Sequence, residues 1–195
     1  MLRSIPLLLA LSACNQTPAD DPLAGNAAAV DPFAGAPNVV FDYYPVTGRD
    51  VRSIRASIAE RRPTDDRGKR FAAVTNWHIS WHWDGDGQGG CRLATTRTDF
   101  SASVRMPRLE PDQVPAAVVA DWRRYDAALA RHEAGHVRIA YQHLGDVEAA
   151  IRNATCATAD SAGHAALDRI RQANRDYDSE TRHGELQGAV FPSAD

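Results

Sequence analysis

The spacing of apolar residues along the chain changes near Pro115, from strict alternation to steps of three and four. Between Phe71 and Trp83 apolar and polar side chains alternate, which predicts a strand with one buried face. A second alternating stretch lies at 100–106, after a glycine-rich run at 84–90 that has the composition of a turn. These stretches predict two antiparallel strands joined by a glycine loop.

The other apolar positions predict helices and one more strand. Residues 39–44 are β-prone, residues 50–60 have helical spacing, and a further helix is predicted over 162–177. The longest pattern predicts a single helix, with repeating positions at Trp122, Tyr125, Leu129, His132, His136, Ile139, His143 and Val147. The predicted fold is α+β, a small antiparallel sheet packed against this long helix and a second, antiparallel helix.

The N-terminus has the pattern of a bacterial export signal. A short apolar stretch follows Met1–Ser4 and is too short to span a bilayer stably, and Leu11-Ser12-Ala13-Cys14 resembles the lipobox of lipoprotein signal peptides. We therefore expect a signal peptide at 1–13, a flexible tether at 14–38 and one domain at 39–195. The alternatives are an ordinary secretory leader cut after Ala13 and a buried N-terminal helix.

Lipidation of Cys14 predicts a cell-envelope protein anchored by lipid on the periplasmic face, with the membrane as one partner. Asn15 stands where inner-membrane lipoproteins carry Asp, which favours the outer membrane. Cys91 and Cys156 then remain as a pair in an oxidising compartment, so a disulfide between them is expected. Two buried free thiols are the alternative. The net charge of −3 and the absence of a long basic run exclude nucleic acid as an expected partner.

The predicted long helix contains the sequence His132-Glu133-Ala134-Gly135-His136. Histidines four residues apart project from one face of a helix and can converge on one ion, and the intervening Glu can act on a water beside it. Both histidines lie on the buried stripe, where polar rings require partners. Gly135 leaves room for another segment or a substrate to approach the metal. The pattern therefore predicts a Zn2+ site with Glu133 as general base.

A third metal ligand must come from another part of the fold. The densest group of possible ligands is residues 176–184, and we favour His183, just beyond the predicted second helix. Asp178, Glu180 and His164 remain alternatives. Tyr177 and Arg182 are the two candidates for stabilising the oxyanion that forms during hydrolysis, although a Tyr at this spacing is commonly a core residue.

The chain resembles the DUF922 family, usually described as predicted secreted zinc-dependent proteases. The shared motifs are Tyr43-Tyr44-x-Val46-x-Gly48, Trp77-x-Ile79-x-Trp81, Arg131-His132-Glu133-x-Gly135-His136 and Tyr177-Asp178-x-x-Thr181-x-His183-Gly184. The resemblance implies zinc ligands at His132 and His136, a catalytic Glu133, a ligand at His183, and a zincin-like metallopeptidase domain over 39–195.

The expected function is that of a zinc metallopeptidase that hydrolyses a peptide or protein substrate in the cell envelope, with water activated by zinc and Glu133. One alternative is a zinc-binding lipoprotein without catalytic activity that acts as a scaffold or sensor, with the metal held by four protein ligands. Another is a metal-free adaptor, which would tolerate loss of His132.

Overall fold

Three strands and four α-helices form the part of the chain that the computed structural model describes, residues 31–65, 68–110 and 113–193. In chain order they are β1 (Val39–Val46), α1 (Val51–Arg61), β2 (Val74–Gly85), β3 (Cys91–Leu109), α2 (Ala116–Gln142), α3 (Leu144–Arg152) and α4 (Ala159–Thr181), followed by a 3-10 helix, Glu185–Gln187. The predicted α+β class is confirmed. The expected signal peptide and Cys14 lie outside the described residues. Within the described ranges, none of the helices has the length and apolar character needed to cross a bilayer.

The sheet has the strand order β1-β3-β2, with the long strand β3 in the centre. Strands β2 and β3 are antiparallel, as predicted, and the glycine loop between them is closed by the Asp86 carboxylate, which accepts from the backbone N–H groups of Gln88 and Gly90 at 2.8 Å each. Strand β1 runs parallel to β3. The sheet is therefore mixed, and the prediction of a wholly antiparallel sheet is wrong. Strand propensity predicts that β1 is a strand but not the direction in which it pairs.

The helices cover one face of the sheet, and the core lies between them. From Phe100 to Met106, strand β3 contributes every second residue to this core, which is the alternation expected of a strand with one buried face. The largest fully buried side chains are those of Ile54, Leu109, Ile151, Val46, Val104, Val137 and Val147. The buried stripe of α2 packs against this layer and includes both motif histidines.

The predicted single helix is interrupted at His143. The backbone of His143 leaves the helical region (φ −95°, ψ 10°), and its imidazole contacts the Asp146 carboxylate, so α2 ends at Gln142 and α3 begins at Leu144. The prediction of one helix through Val147 is wrong at this point. The buried positions Val147 and Ile151 continue the apolar spacing across the break, which is why periodicity alone did not reveal it.

Residues 31–38 pack on the sheet, although the sequence analysis placed them in the tether. Phe33 is 8% exposed, and its ring meets Phe41 edge-on at a centroid distance of 4.9 Å. The Asn38 side chain donates to the Phe100 carbonyl at 3.1 Å. A single aromatic anchor in a stretch of Ala, Pro, Asp and Gly is enough to hold this segment against β1 and β3.

The disulfide between Cys91 and Cys156 is present. It joins the first residue of β3 to the loop between α3 and α4, and so connects the sheet to the helical layer. The prediction of this pairing is confirmed, and the alternative of two free thiols is wrong.

Candidate metal centre

Helix α2 presents His132, Glu133 and His136 on its buried side. His132 is 3% exposed, Glu133 is 4% exposed, and the His136 side chain is 12% exposed. The two imidazole rings are one helical turn apart, with centroids separated by 4.9 Å. The local spacing that the sequence predicted therefore places both rings side by side in the interior.

Asp178 lies opposite these histidines on α4. Its Oδ1 atom is 3.3 Å from His132 Nε2 and 3.1 Å from His136 Nε2. The Nδ1 atom of His183 approaches the same oxygen at 3.3 Å. Three imidazole nitrogens thus surround a single carboxylate oxygen.

The end of α4 determines how Asp178 and His183 reach the site. The helix runs to Thr181, beyond the predicted end at 177, so Asp178 is helical. Arg182 and His183 then adopt left-handed conformations (φ 51° and 53°), and the His183 N–H donates to the Asp178 carbonyl at 2.8 Å. This is a Schellman-type helix end in which non-glycine residues take positions usually held by Gly, at roughly 1 kcal/mol each. The turn brings His183 back toward the side chain of Asp178.

The four candidates for a third ligand fall into two groups. His164 packs against the Trp81 ring at a centroid distance of 5.1 Å, and Glu180 is exposed, so neither is part of the cluster. Asp178 is part of it: the ligand atoms of His132, His136 and Asp178 all lie within 4.8 Å of one another, which makes them a group that could hold a metal ion. His183, which the sequence analysis favoured, borders this group through its contact with Asp178.

The outer nitrogens of both motif histidines are held by side-chain amides. His132 Nδ1 donates to Gln187 Oε1 at 2.9 Å, and His136 Nδ1 donates to Asn174 Oδ1 at 2.8 Å. Asn174 Nδ2 donates to the Ile170 carbonyl at 3.0 Å, which directs its oxygen toward His136. An amide oxygen can only accept, so each Nδ1 carries a proton and each Nε2 faces the cluster. Metal-ligating histidines are typically held in this way, and the donor set of two imidazoles and a carboxylate suits zinc.

Glu133 lies beside the cluster and is held by strand β2. Its Oε2 accepts a hydrogen bond from the Thr75 hydroxyl at 2.7 Å. Burial raises the pKa of Glu133, while the nearby His136 and the Thr75 hydrogen bond act in the opposite direction. A carboxylate with a raised pKa is a stronger base than an exposed one, which suits proton transfer near neutral pH.

The charges of the cluster depend on one another. Burial would lower the pKa of His136, but its hydrogen bond to Asp178 and the negative charges of Glu133 and Asp178 outweigh burial and raise it. Burial would raise the pKa of Asp178, but the hydrogen bonds from His132 and His136 hold it well below its usual range. Contact between His136 and Asp178 therefore favours the protonated imidazole and the ionised carboxylate, and since metal ligands must be deprotonated, metal binding competes with protonation of His136.

Tyr177 fills the space that Gly135 leaves open. Its ring stacks on His132 at a centroid distance of 5.1 Å and meets His136 edge-on at 5.0 Å, and a Cβ on residue 135 would overlap the phenol. The close approach expected at Gly135 is thus made by a segment of this chain. The Tyr177 hydroxyl donates to the His132 carbonyl at 3.3 Å and accepts from Gln187 Nε2 at 3.0 Å. These partners place it behind the histidines, apart from the residues that line the cleft.

A cleft of about 730 Å³ opens onto the cluster. One wall is the stretch 71–77, which leads into and begins β2, and the other is the face of α4 that carries Arg171, Asn174 and Arg175. Glu133, His132, His136, Asp178 and His183 lie at its base. Strand β2 pairs with β3 along one edge only, and on its other edge no strand of the described sheet lies beside it.

Sequence reasoning missed Thr75, Asn174 and Gln187, which hold the three motif side chains. Asn174 precedes Asp178 by one helical turn, so the helical pattern could have indicated it once α4 was extended to 181. Thr75 and Gln187 are brought to the site by the packing of the sheet and by the turn after α4. No local pattern in the sequence marks them.

Comparisons with known proteins give one match. Neither a curated protein nor a solved structure matches the chain. The model of one family, described as a bacterial protein of unknown function, matches residues 41–184, a range that includes β1, the motif histidines of α2 and the turn after α4. Because this match covers most of the sequence, the chain belongs to the DUF922 family.

Proposed function

We propose that this protein is a zinc-dependent peptidase of the bacterial cell envelope. The observation that carries the proposal is the juxtaposition of the His132, His136 and Asp178 group with a buried Glu133 at the base of an open cleft. The amide partners of both Nδ1 atoms add support, because they orient Nε2 toward a common point.

Glu133 has the central part in the proposed hydrolysis. When bound, a zinc ion in such a site supplies Lewis acidity, polarising a carbonyl group and lowering the pKa of water. Glu133 accepts a proton from a water molecule as the water oxygen attacks the peptide carbonyl carbon, and returns that proton to the amine nitrogen as the C–N bond breaks. The Thr75 hydroxyl holds the Glu133 carboxylate in place during both transfers.

The free edge of β2 suits an extended peptide. Unpaired backbone N–H and C=O groups of an edge strand can bind a peptide as an additional strand. The edge near Thr75 runs beside Glu133, so a peptide bound there would place its backbone carbonyls close to the catalytic carboxylate. A peptide or protein is therefore the proposed substrate class.

The proposed cellular location rests on the N-terminal sequence pattern and the disulfide. The lipobox-like Leu11-Ser12-Ala13-Cys14 predicts a lipid anchor on the periplasmic face, in the outer membrane. The Cys91–Cys156 disulfide agrees with an oxidising compartment. Both features suit a substrate in the envelope.

One observation favours a second function, a scaffold or sensor with a structural metal. His183 Nδ1 lies 3.3 Å from the same Asp178 oxygen that the motif histidines approach, so a fourth potential ligand borders the group. A four-coordinate ion would leave no position for water. A scaffold or sensor function predicts that replacing Glu133 by Gln leaves the function of the protein unchanged.

The metal content of the purified protein, measured by elemental mass spectrometry, tests the site. We expect one zinc ion per chain in the wild type and its loss in His132→Ala and in Asp178→Asn. His183→Ala is the discriminating variant: retained zinc supports three protein ligands and an open position, whereas lost zinc supports the four-ligand site. Wild-type protein that contains no metal when prepared without chelators would contradict both functions, and iron in place of zinc would indicate different chemistry.

Hydrolysis is tested with Glu133→Gln, which keeps the size and hydrogen-bonding reach of the side chain but removes the base. We expect wild-type protein to cleave members of a quenched-fluorescence peptide library, and Glu133→Gln to retain zinc while losing at least about 100-fold in rate. Equal rates in the two proteins would contradict the peptidase proposal and leave the structural-metal function.

A further inference from the structure

We infer that Gln187 is a positioning residue for the metal centre, and that the segment after α4 is part of that centre. This segment, residues 184–193, is called the C-terminal strap. The inference rests on the proposed function only in assuming that His132 binds a metal. It assigns a role to residues beyond the stretch that the family match covers, which ends at residue 184.

Gln187 links His132 to Tyr177. Its Oε1 accepts from His132 Nδ1 at 2.9 Å, and its Nε2 donates to the Tyr177 hydroxyl at 3.0 Å. Because the Tyr177 hydroxyl donates its proton to the His132 carbonyl at 3.3 Å, it accepts from the amide nitrogen, and the amide oxygen faces the imidazole. Tyr177 also stacks on the face of the His132 ring. The hydrogen bond to Gln187 therefore restrains rotation of the imidazole within its own plane, and the stacking restrains tilting of that plane.

The strap is fastened at both ends. At its start, Gly184 (φ +83°) lies so close to His132 that a Cβ on residue 184 would meet the imidazole at 2.9 Å. Near its other end, Phe191 is 4% exposed and packs edge-on against Trp122 and Tyr125, at centroid distances of 5.9 and 5.6 Å. Arg55 of α1 donates to the carbonyl oxygens of Phe191 and Pro192 at 2.8 and 3.0 Å. Gln187 is held between these two attachments.

The two motif histidines therefore differ in how they are supported. The partner of His136 is Asn174, which belongs to α4 and is fixed by the Ile170 carbonyl. The partner of His132 belongs to a single turn of 3-10 helix, Glu185–Gln187, that has no buried residue of its own. The orientation of His132 thus depends on the docking of the strap, and metal affinity should respond to changes in the strap that leave every ligand intact.

The test compares zinc affinity in four full-length proteins by competition with a chromophoric chelator. The proteins are the wild type, Gln187→Ala, Gln187→Glu and the control Leu186→Ala, which truncates a side chain of the same turn that is 64% exposed. We expect Gln187→Ala to weaken zinc binding about 10- to 100-fold, the usual effect of removing an outer partner of a metal ligand. Gln187→Glu should restore most of the affinity because a carboxylate also accepts from Nδ1–H, and Leu186→Ala should bind as the wild type does.

A second measurement separates positioning from loss of fold. In thermal unfolding of the metal-free proteins, Gln187→Ala should unfold in a single cooperative transition, as Leu186→Ala does, which shows that both variants are folded. Zinc affinity in Gln187→Ala equal to that of the wild type would overturn the inference while leaving the proposed metal site standing. Equal weakening in Gln187→Ala and Leu186→Ala would also overturn it, by showing that the turn matters and the amide does not. A wild-type protein that binds no zinc would overturn the proposed function and the inference together.

Discussion

Gly135 leaves space that the Tyr177 phenol occupies beside the candidate metal centre. Gly in the interior of a helix is less favourable than Ala by about 1 kcal/mol. Here the absent side chain admits the phenol of Tyr177, which in turn contacts both histidine rings. The Tyr177 side chain, which belongs to α4, therefore requires glycine at position 135 of the motif.

Replacing Gly135 by Ala tests this packing. We expect Gly135→Ala to lower the free energy of unfolding by about 1–3 kcal/mol, because the new Cβ overlaps the phenol and one of the two helices must shift. In a Tyr177→Ala background the same change should be neutral or stabilising, since the obstructing ring is gone. Urea unfolding of the wild type, the two single variants and the double variant measures the coupling. Additive effects in the double variant would contradict the packing argument.

Asp126 is a second carboxyl group of α2 with an altered pKa, and it lies six residues before His132 in the helix. Burial raises the pKa of Asp126 to about 6, with the nearby Arg108 acting in the opposite direction. A carboxyl group whose pKa is higher in the folded chain than the value of about 3.9 in the unfolded chain contributes stability below that lower value. This contribution is lost as the pH rises through about 6. At neutral pH the charged Asp126 therefore opposes the packing of α2 on the sheet.

Asp126→Asn removes this charge. We expect the variant to be more stable than the wild type by about 1–2 kcal/mol at neutral pH and equally stable at about pH 3, where Asp126 is protonated in both states. Asp121→Asn on the same helix is the control, because Asp121 forms a surface ion pair with Arg124 and its loss should change stability little. Urea unfolding across this pH range checks the prediction, and a stability difference that does not change with pH would contradict it.

The elements also show how far the sequence could predict the structure. The β2–β3 hairpin, the buried stripe of α2 and the shared face of His132 and His136 follow from local periodicity, and all are present. Local periodicity does not predict the direction of β1 or the break at His143, because each depends on contacts beyond the local apolar spacing. The identity of the third group at the cluster was left among four residues for the same reason.

The metal cluster itself depends on the end of α4. Sequence patterns ended this helix at 177, and so placed Asp178 and His183 together in a tail. The structure continues the helix to Thr181 and reverses the chain through two left-handed residues, which brings His183 to the same Asp178 oxygen that the motif histidines approach. A left-handed turn built from Arg and His lacks the usual glycine signal, so local composition could not have predicted it.

For the whole molecule, the disulfide is the covalent link between the sheet and the helical layer. Cys91 and Cys156 are 65 residues apart in sequence, and closing a loop of this size restricts the unfolded chain. We expect the Cys91→Ser/Cys156→Ser double variant to be less stable than the oxidised wild type by about 4 kcal/mol. Urea unfolding of the oxidised wild type, the reduced wild type and the variant measures the difference. A double variant as stable as the oxidised protein would show that the bond adds nothing beyond the packing around it.

Gln187 follows α2 and α4 in the sequence, so it is synthesised after every other residue of the candidate metal centre described above. Chains are synthesised from the N-terminus, and the parts that emerge first can fold first. Helix α2, with His132 and His136, is complete before Asp178 exists, and Asp178 in turn precedes Gln187. The candidate metal centre can therefore be completed only after residue 187 has been made, and until then the motif histidines lack their carboxylate partner, their amide partner or both.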